Sequence, residues 1–238
     1  MIVEPLAGST GVLVPPVGYL ERLRALCTAH GILLIFDEVI SGFGRLGAPF
    51  AAQYFGVTPD IMALAKGLTN AAVPMGATAV QSAIYDSVVN ASERGIELFH
   101  GYTYSGHPVA CAVALANLDI MESENLVGRV RDDTGPYLAA QFATLLDHPL
   151  VGQAETCGLM AGLVLVKDKA SNTLFPADLS VGMVCRGHCF ANGLIMRAVG
   201  DRMIIAPPLT ITHAQIDEMM GLIRLALDKT LADARQSG

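Results

Sequence analysis

The sequence predicts an α/β fold in which a large domain with a mostly parallel sheet precedes a smaller α+β domain. In the first part of the chain, short apolar runs alternate with helical periodicities. This alternation favours parallel strands joined by right-handed crossovers. Two of the apolar runs end in charged residues, Asp37 and Lys66, and further along short strands and helices mix. We therefore predict two domains, over residues 1–145 and 146–238.

The elements of the first domain follow from turn residues and apolar spacing. Two prolines precede a helical pattern that begins at Tyr19, and a proline at position 108 suits the first turn of another helix. The predicted elements, in order, are a strand over residues 2–4, a helix over 19–30, a strand over 33–36, a short helix over 50–55, strands over 61–65 and 77–80, helices over 82–90 and 109–121, and resumed helical spacing toward 145.

The second domain is predicted to contain three strands and two helices. The apolar runs that favour strands are shorter here and lie between helical patterns rather than alternating with them regularly. The predicted elements, in order, are a strand over 158–166, a helix over 179–191, strands over 194–197 and 203–206, and a terminal helix over 213–234.

The composition indicates a chain with a large core. Of its 238 residues, 52% are apolar and 16% are charged, and the net charge is −7 without a basic block. These values exclude a disordered chain and argue against nucleic acid as a partner. Five scattered cysteines predict reduced thiols and a cytoplasmic location. No apolar run approaches the ~18 residues of a membrane span, and no signal peptide is evident, so we expect no membrane association.

The charged residues that end two apolar runs are the main candidates for chemistry. Side chains at the carboxyl ends of parallel strands point into the crevice where open α/β sheets bind ligands. Taken singly, Asp37 could cap a turn and Lys66 could be a solvated loop lysine. Together, each after a run that we expect to be buried, they favour a lysine that forms a Schiff base and an aspartate that holds a protonated pyridine nitrogen. Pyridoxal phosphate chemistry needs this pair.

Two further residues are candidates with equally plausible structural interpretations. Thr103 lies in a Gly/Ser/Thr-rich loop before a helix, which is typical of phosphate binding but also of a plain helix entry. Arg197 ends a predicted strand and could bind a carboxylate through two hydrogen bonds, or form a surface salt bridge.

Two motifs point elsewhere but have weak support. The loop over residues 42–47 fits the dinucleotide-binding pattern G-x-G-x-x-G, yet it opens no helix directly and follows an acidic pair. A nicotinamide-dependent oxidoreductase is therefore a minor alternative, and a positioning loop is favoured. Cys185 and Cys189 have a spacing that could bind zinc, but without a second ligand pair we predict buried helix cysteines and no metal.

The chain resembles the class III aminotransferases of pyridoxal phosphate fold type I, in particular the omega-amino-acid:pyruvate branch. The segments that carry the resemblance are residues 34–45, 60–71, 73–77, 100–108 and 197–208. The resemblance implies part of the fold type I large domain plus the small C-terminal domain. It also implies transfer of an amino group from an omega-amino acid or amine to a keto acid such as pyruvate.

The resemblance assigns a role to each candidate residue. It implies that Lys66 forms the Schiff base with pyridoxal 5'-phosphate, that Asp37 pairs with the pyridinium nitrogen, and that Val39 packs against the ring. Thr103 is expected to reach the cofactor phosphate of the partner subunit, which implies a homodimer with shared active sites. Arg197 matches the arginine that binds the carboxylate of a keto or amino acid.

The chain departs from this family in length. Members are roughly twice as long, and the N-terminal strand has no leading cap or turn. We therefore expect the chain to be the C-terminal portion of such an enzyme. The alternative is a truncated, catalytically incompetent remnant.

Overall fold

Two four-stranded sheets organise the part of the protein that the structure describes. The structure is a computed structural model, and it describes residues 1–91, residue 100 and residues 103–236. Each sheet belongs to one of two compact units. The first unit comprises Met1–Pro5, Pro16–Phe43 and Pro49–Asn125, and the second comprises Leu6–Pro15, Gly44–Ala48 and Leu126–Gly238.

The units differ in their bounds from the predicted domains. Residues 126–145 make their contacts within the second unit, whereas the predicted first domain extends to residue 145. The division of the chain into domains over 1–145 and 146–238 stays a prediction.

The first unit contains a mostly parallel sheet with helices between its strands. In order, its elements are β1 (Ile2–Val3), α1 (Tyr19–Ala29), β2 (Ile35–Asp37), α2 (Ala51–Tyr54), β3 (Ile61–Leu64), a 3-10 helix (Lys66–Leu68), β4 (Ala77–Val80), α3 (Ser82–Asn90) and α4 (Pro108–Ser123). The strand order is β1-β2-β3-β4. The first two pairings are parallel and the third, between β3 and β4, is antiparallel.

The antiparallel strand β4 leaves the sheet mostly parallel, as predicted, although the alternation of strands and helices had favoured parallel pairing for β4 as well. A parallel pair needs a crossover connection, usually an α-helix. Between β3 and β4 the described chain forms only the short 3-10 helix and turns, so it returns beside β3 in the opposite direction.

The second unit is an α+β arrangement, as predicted. In order, its elements are α5 (Leu126–Arg129), a π-helix (Val130–Thr134), α6 (Gly135–Ala143), a 3-10 helix (Thr144–Asp147), β5 (Val151–Cys157), β6 (Met160–Leu165), a 3-10 helix (Ala177–Leu179), α7 (Val181–Ala191), β7 (Arg197–Val199), β8 (Arg202–Ile205) and α8 (His213–Gln236). The strand order is β5-β6-β8-β7, and every pairing is antiparallel.

Two predictions for this sheet were wrong. The single strand predicted over 158–166 is the second half of a hairpin, whose first strand, β5, was missed. Gly158 forms the turn with φ of 55°, and an added Cβ would lie 2.5 Å from the Leu46 Cα atom, so only glycine fits there. The strand predicted over 194–197 instead begins at Arg197.

A large apolar core packs against the sheet of the second unit. Its members include the buried residues Phe142, Leu163, Leu165, Met203, Ile216 and Leu227. They come from α6, from the sheet and from α8, so burial of apolar surface joins all three layers of the unit.

A row of polar contacts joins α8 to the segment that contains α6. The contacting pairs are His213 Nε2 with Asp133 Oδ1 (2.7 Å), Tyr137 Oη with Asp217 Oδ1 (2.7 Å), Arg224 Nη2 with the Thr144 carbonyl (2.9 Å), and His148 Nε2 with Asp228 Oδ1 (3.3 Å). Each pair is separated by 80 residues in sequence. The constant separation shows that the two segments run parallel with matched rise. We call these pairs the 80-residue row.

The apolar clusters of the first unit are smaller. One contains Leu20, Cys27, Leu34, Phe36 and Val57, and another contains Phe43, Leu68 and Ala114. On α4 only two alanines are buried among the described residues, and larger apolar side chains such as Leu115 and Ile120 are exposed. In the described part of the chain, no helix combines the length and apolar character that crossing a membrane requires.

Candidate active site

The carboxyl ends of β2 and β3 form one edge of the sheet in the first unit. The two strands are parallel neighbours, and their register pairs Asp37 with Ala63. The Glu38 N–H donates to the Ala63 carbonyl at 3.0 Å, which continues the pairing one residue further. Lys66 follows Ala63 by three residues, so Asp37 and Lys66 leave the sheet at the same edge.

Asp37 is half-buried, and one of its two carboxylate oxygens accepts a hydrogen bond from the described protein. Its Oδ1 atom accepts the Val39 N–H at 3.0 Å, which fixes the rotamer of the carboxylate. Among the described residues, its other oxygen accepts no hydrogen bond and forms no ion pair. Val39 is half-buried beside it. The carboxylate therefore keeps one oxygen available for an N–H donor.

The structure places Lys66 in a strained turn and in a more open environment than the sequence predicted. The residues of β3 are half-buried, and the Lys66 side chain is exposed, so the expected burial is wrong. Among the described residues, Nζ has no hydrogen-bond or ion-pair partner. The backbone of Lys66 has φ of 45°, and Asn70 and Ala71 also have positive φ, of 50° and 58°. For a residue with a Cβ atom such a conformation costs about 1–3 kcal/mol.

Glu38, which no sequence pattern marked as a site residue, is fully buried. Its carboxylate accepts hydrogen bonds from Ser41 Oγ (2.8 Å), the Ala51 N–H (2.8 Å) and the Ala52 N–H (2.7 Å). These bonds tie the end of β2 to the start of α2 across the glycine-rich loop. The only sequence signal was an acid directly after an apolar run, because two of the three donors are backbone groups 13 and 14 residues away.

The glycine-rich loop does not begin a helix, since α2 starts only at Ala51. Within it, the Gly42 N–H donates to the Glu38 carbonyl at 2.9 Å, and an added Cβ on Gly42 would lie 2.9 Å from that oxygen. Phe43 packs against the residues that follow Lys66. These contacts favour the positioning loop over the dinucleotide-binding interpretation.

Thr103 lines a cavity of about 920 Å³ in the first unit. The cavity lies between residues 73–76, which follow the Lys66 turn, and the segment that enters α4. Thr103 is exposed there, and Ser105 and Gly106 line the same cavity before Pro108 begins the helix. Part of the predicted 100–108 motif, residues 101 and 102, lies outside the described residues.

Arg197 is the first residue of β7 in the second unit, where it pairs with Ile204. Its side chain is exposed. Its guanidinium makes no ion pair with any residue that the structure describes, so the surface salt bridge weighed as the alternative is not seen. The structure thus leaves this cation available for an anionic ligand.

The cysteines of α7 are buried core residues, as predicted. Cys185 and Cys189 lie one helical turn apart and both belong to the core of the second unit. Their mutual hydrogen bond lowers the pKa of Cys185, which also bonds to Thr230, and raises the pKa of Cys189. The two thiols therefore hydrogen-bond to each other inside the core.

Comparison with known proteins gives consistent results over most of the chain. The family model described as Aminotransferase class-III matches residues 1–227. A Pseudomonas aeruginosa protein named putrescine–pyruvate aminotransferase is 51% identical over 231 residues, which cover 97% of this chain and 50% of that protein. A Caulobacter vibrioides protein named omega-aminotransferase is 49% identical over 227 residues, covering 95% and 50%.

Solved structures agree with these relatives. A thermostable (S)-enantioselective omega-transaminase from Thermomicrobium roseum has a TM-score of 0.91 at 42% identity, over 97% of this chain and 51% of that chain. The chain spans about half the length of the curated relatives that it matches. The predicted fold class, part of a fold type I transaminase, is confirmed. The chain belongs to the class III aminotransferase family.

Proposed function

We propose that the chain is the C-terminal portion of an omega-aminotransferase, which moves an amino group from an omega-amino acid or amine to a keto acid such as pyruvate. One observation carries the proposal: in a chain of this family, Asp37 and Lys66 leave neighbouring parallel strands at the same sheet edge. The names of the relatives, putrescine–pyruvate aminotransferase and omega-aminotransferase, support this substrate class.

The residues present fit pyridoxal 5'-phosphate as the cofactor. An exposed lysine amine with no protein partner in the described structure suits a covalent bond to the cofactor's aldehyde carbon. A half-buried carboxylate with one oxygen that accepts no hydrogen bond in the described part of the chain suits a protonated pyridine nitrogen. When bound, the cofactor supplies an electron-poor ring that stabilises negative charge on the substrate carbon.

Each candidate side chain of this chain would then have a separate role at the site. Lys66 would hold the cofactor, and its Nζ atom would then move a proton at the substrate carbon. Asp37 keeps the proton on the pyridine nitrogen, and Val39 packs against the ring. Thr103 contacts the cofactor phosphate of a partner subunit, in a homodimer with shared sites. Arg197 binds the carboxylate of the keto or amino acid.

The test begins with binding. Adding pyridoxal phosphate to the purified chain should give a visible absorption band that Lys66→Ala abolishes. Lys167→Ala, which removes an exposed lysine of the second unit, should leave the band unchanged. Amine donors such as putrescine and beta-alanine, with pyruvate as acceptor, should then yield alanine.

The half-length match favours a second candidate, a remnant that is catalytically incompetent by itself. A folded chain that shows neither the band nor labelling of Lys66 would support it and defeat the main proposal. We also propose a cytoplasmic location, from the reduced cysteines.

A further inference from the structure

We propose that Asn117 is a positioning residue for Lys66, because its side-chain amide holds the turn that presents the lysine. The inference rests on the proposed function, in which Lys66 binds the cofactor. It adds a residue on α4, far from both strands in sequence, to the machinery of that site.

The contact is direct and specific. Asn117 is half-buried, and its Nδ2 atom donates to the Gly67 carbonyl at 2.8 Å and to the Leu68 carbonyl at 3.2 Å. These carbonyls belong to the two residues that follow Lys66. A primary amide carries two N–H donors, so one side chain can satisfy both acceptors.

The turn after β3 needs such an anchor. Lys66 and Ala71 have positive φ angles despite their Cβ atoms, and such backbone persists only where its surroundings over-determine it. Inside the turn, the Thr69 and Ala71 N–H groups both donate to the Lys66 carbonyl, at 3.3 and 3.2 Å. Those bonds use the Lys66 carbonyl, whereas Asn117 binds the next two carbonyls and fixes their direction.

Apolar packing holds the same turn from another side. An added Cβ on Gly67 would lie 2.7 Å from Phe43 Cβ, and Leu68 is buried with Phe43 and Ala114. Apolar contact is non-directional, so this cluster fixes where the turn lies but not how its peptide groups point. The two hydrogen bonds from Asn117 supply that orientation, which sets the path of the Lys66 side chain.

Amide hydrogen exchange tests the proposal independently of the cofactor. Asn117→Leu keeps the branching at Cγ, has a higher helix propensity and removes the donors, and Asn117→Ala is the second variant should the first not fold. The N–H groups of Leu68, Thr69 and Ala71 should exchange about tenfold faster in these variants, as expected for loss of a hydrogen bond. Asp119→Asn, an exposed change on the same helix, should leave their exchange unchanged.

The pattern of exchange decides the outcome. Faster exchange confined to the turn supports positioning. Unchanged exchange in the turn, or an equal rise in α1 and β2, would overturn the proposal, because Asn117 would then contribute nothing or only general stability.

Covalent labelling supplies a second readout. The sequence contains only four lysines, Lys66, Lys167, Lys169 and Lys229. After pyridoxal phosphate and borohydride, the label on Lys66 relative to Lys167 should fall several-fold in the Asn117 variants, and an unchanged ratio would count against positioning. If wild-type Lys66 takes no label, the proposed function fails, and hydrogen exchange alone still decides the role of Asn117.

Discussion

The two compact units are stabilised in different ways. The second has one large apolar core that joins its helices and its sheet. The first has smaller clusters, and its helix α4 leaves Leu115 63% exposed. In the first unit, polar side chains that bind backbone groups near the ends of strands, namely Glu38, Asp60 and Asn117, fix the connections. Stability therefore depends on apolar volume in the second unit and on individual hydrogen-bonding groups in the first.

The largest expected loss of stability comes from truncating a residue in the apolar core of the second unit. Phe142 is fully buried in the core of the second unit, so Phe142→Ala should lower the free energy of unfolding by about 3–5 kcal/mol. The matched change Leu115→Ala on α4 should alter it by no more than about 0.5 kcal/mol. Urea unfolding of the three proteins measures both values, and similar losses for the two variants would contradict the contrast.

A smaller loss is expected from removing a polar anchor of the first unit. Glu38→Ala leaves the N–H groups of Ala51 and Ala52 without their acceptor, and should cost about 2–3 kcal/mol. Glu122→Ala, at an exposed acid near the end of α4, is the control. Amide exchange in α2 should rise with Glu38→Ala, and its absence would show that the buried carboxylate is not an anchor.

The smallest effect depends on pH. Burial alone would raise the pKa of Asp60, but the hydrogen bonds from Arg24 and from the Leu34 N–H lower it overall. Because the folded pKa lies below the unfolded value of about 3.9, the ionised carboxylate stabilises the fold above that pH. The contribution is lost as pH falls further, through the folded pKa.

The matching experiment is Asp60→Asn, with the free energy of unfolding measured from pH 7 down to pH 3. The variant should be less stable at pH 7 by about 1 kcal/mol, and the difference should shrink below about pH 4. A difference that stays constant over this range would assign the loss to shape rather than to charge.

Local sequence signals were sufficient for much of the fold. The strand β4 and the helix α3 have the bounds that the sequence predicted, because a proline-glycine turn and clear apolar spacing mark them. Strand β5 was missed because exposed polar residues, Gln153 and Glu155, interrupt its apolar pattern. Its pairing with β6 supplies what the local pattern lacks.

In the candidate site, too, some residues are marked by local sequence and others depend on contacts that are distant in sequence. Asp37 and Lys66 could be chosen because each follows an apolar run, which is a local signal. Glu38 and Asn117 act on backbone groups that are 13 and 50 residues away in sequence. Since any backbone N–H or carbonyl can serve as partner, no residue type marks such contacts in the sequence. The exposure of Lys66 likewise depends on packing around the turn, which local composition does not determine.

The 80-residue row in the second unit sets a limit on how this part of the chain can vary. A substitution along it removes one pair and leaves the other three in place. Inserting a single residue near the start of α8 would instead rotate everything after it by about 100°, so that Asp217, Arg224 and Asp228 would all miss their partners together. The row therefore tolerates a substitution far better than an insertion or deletion.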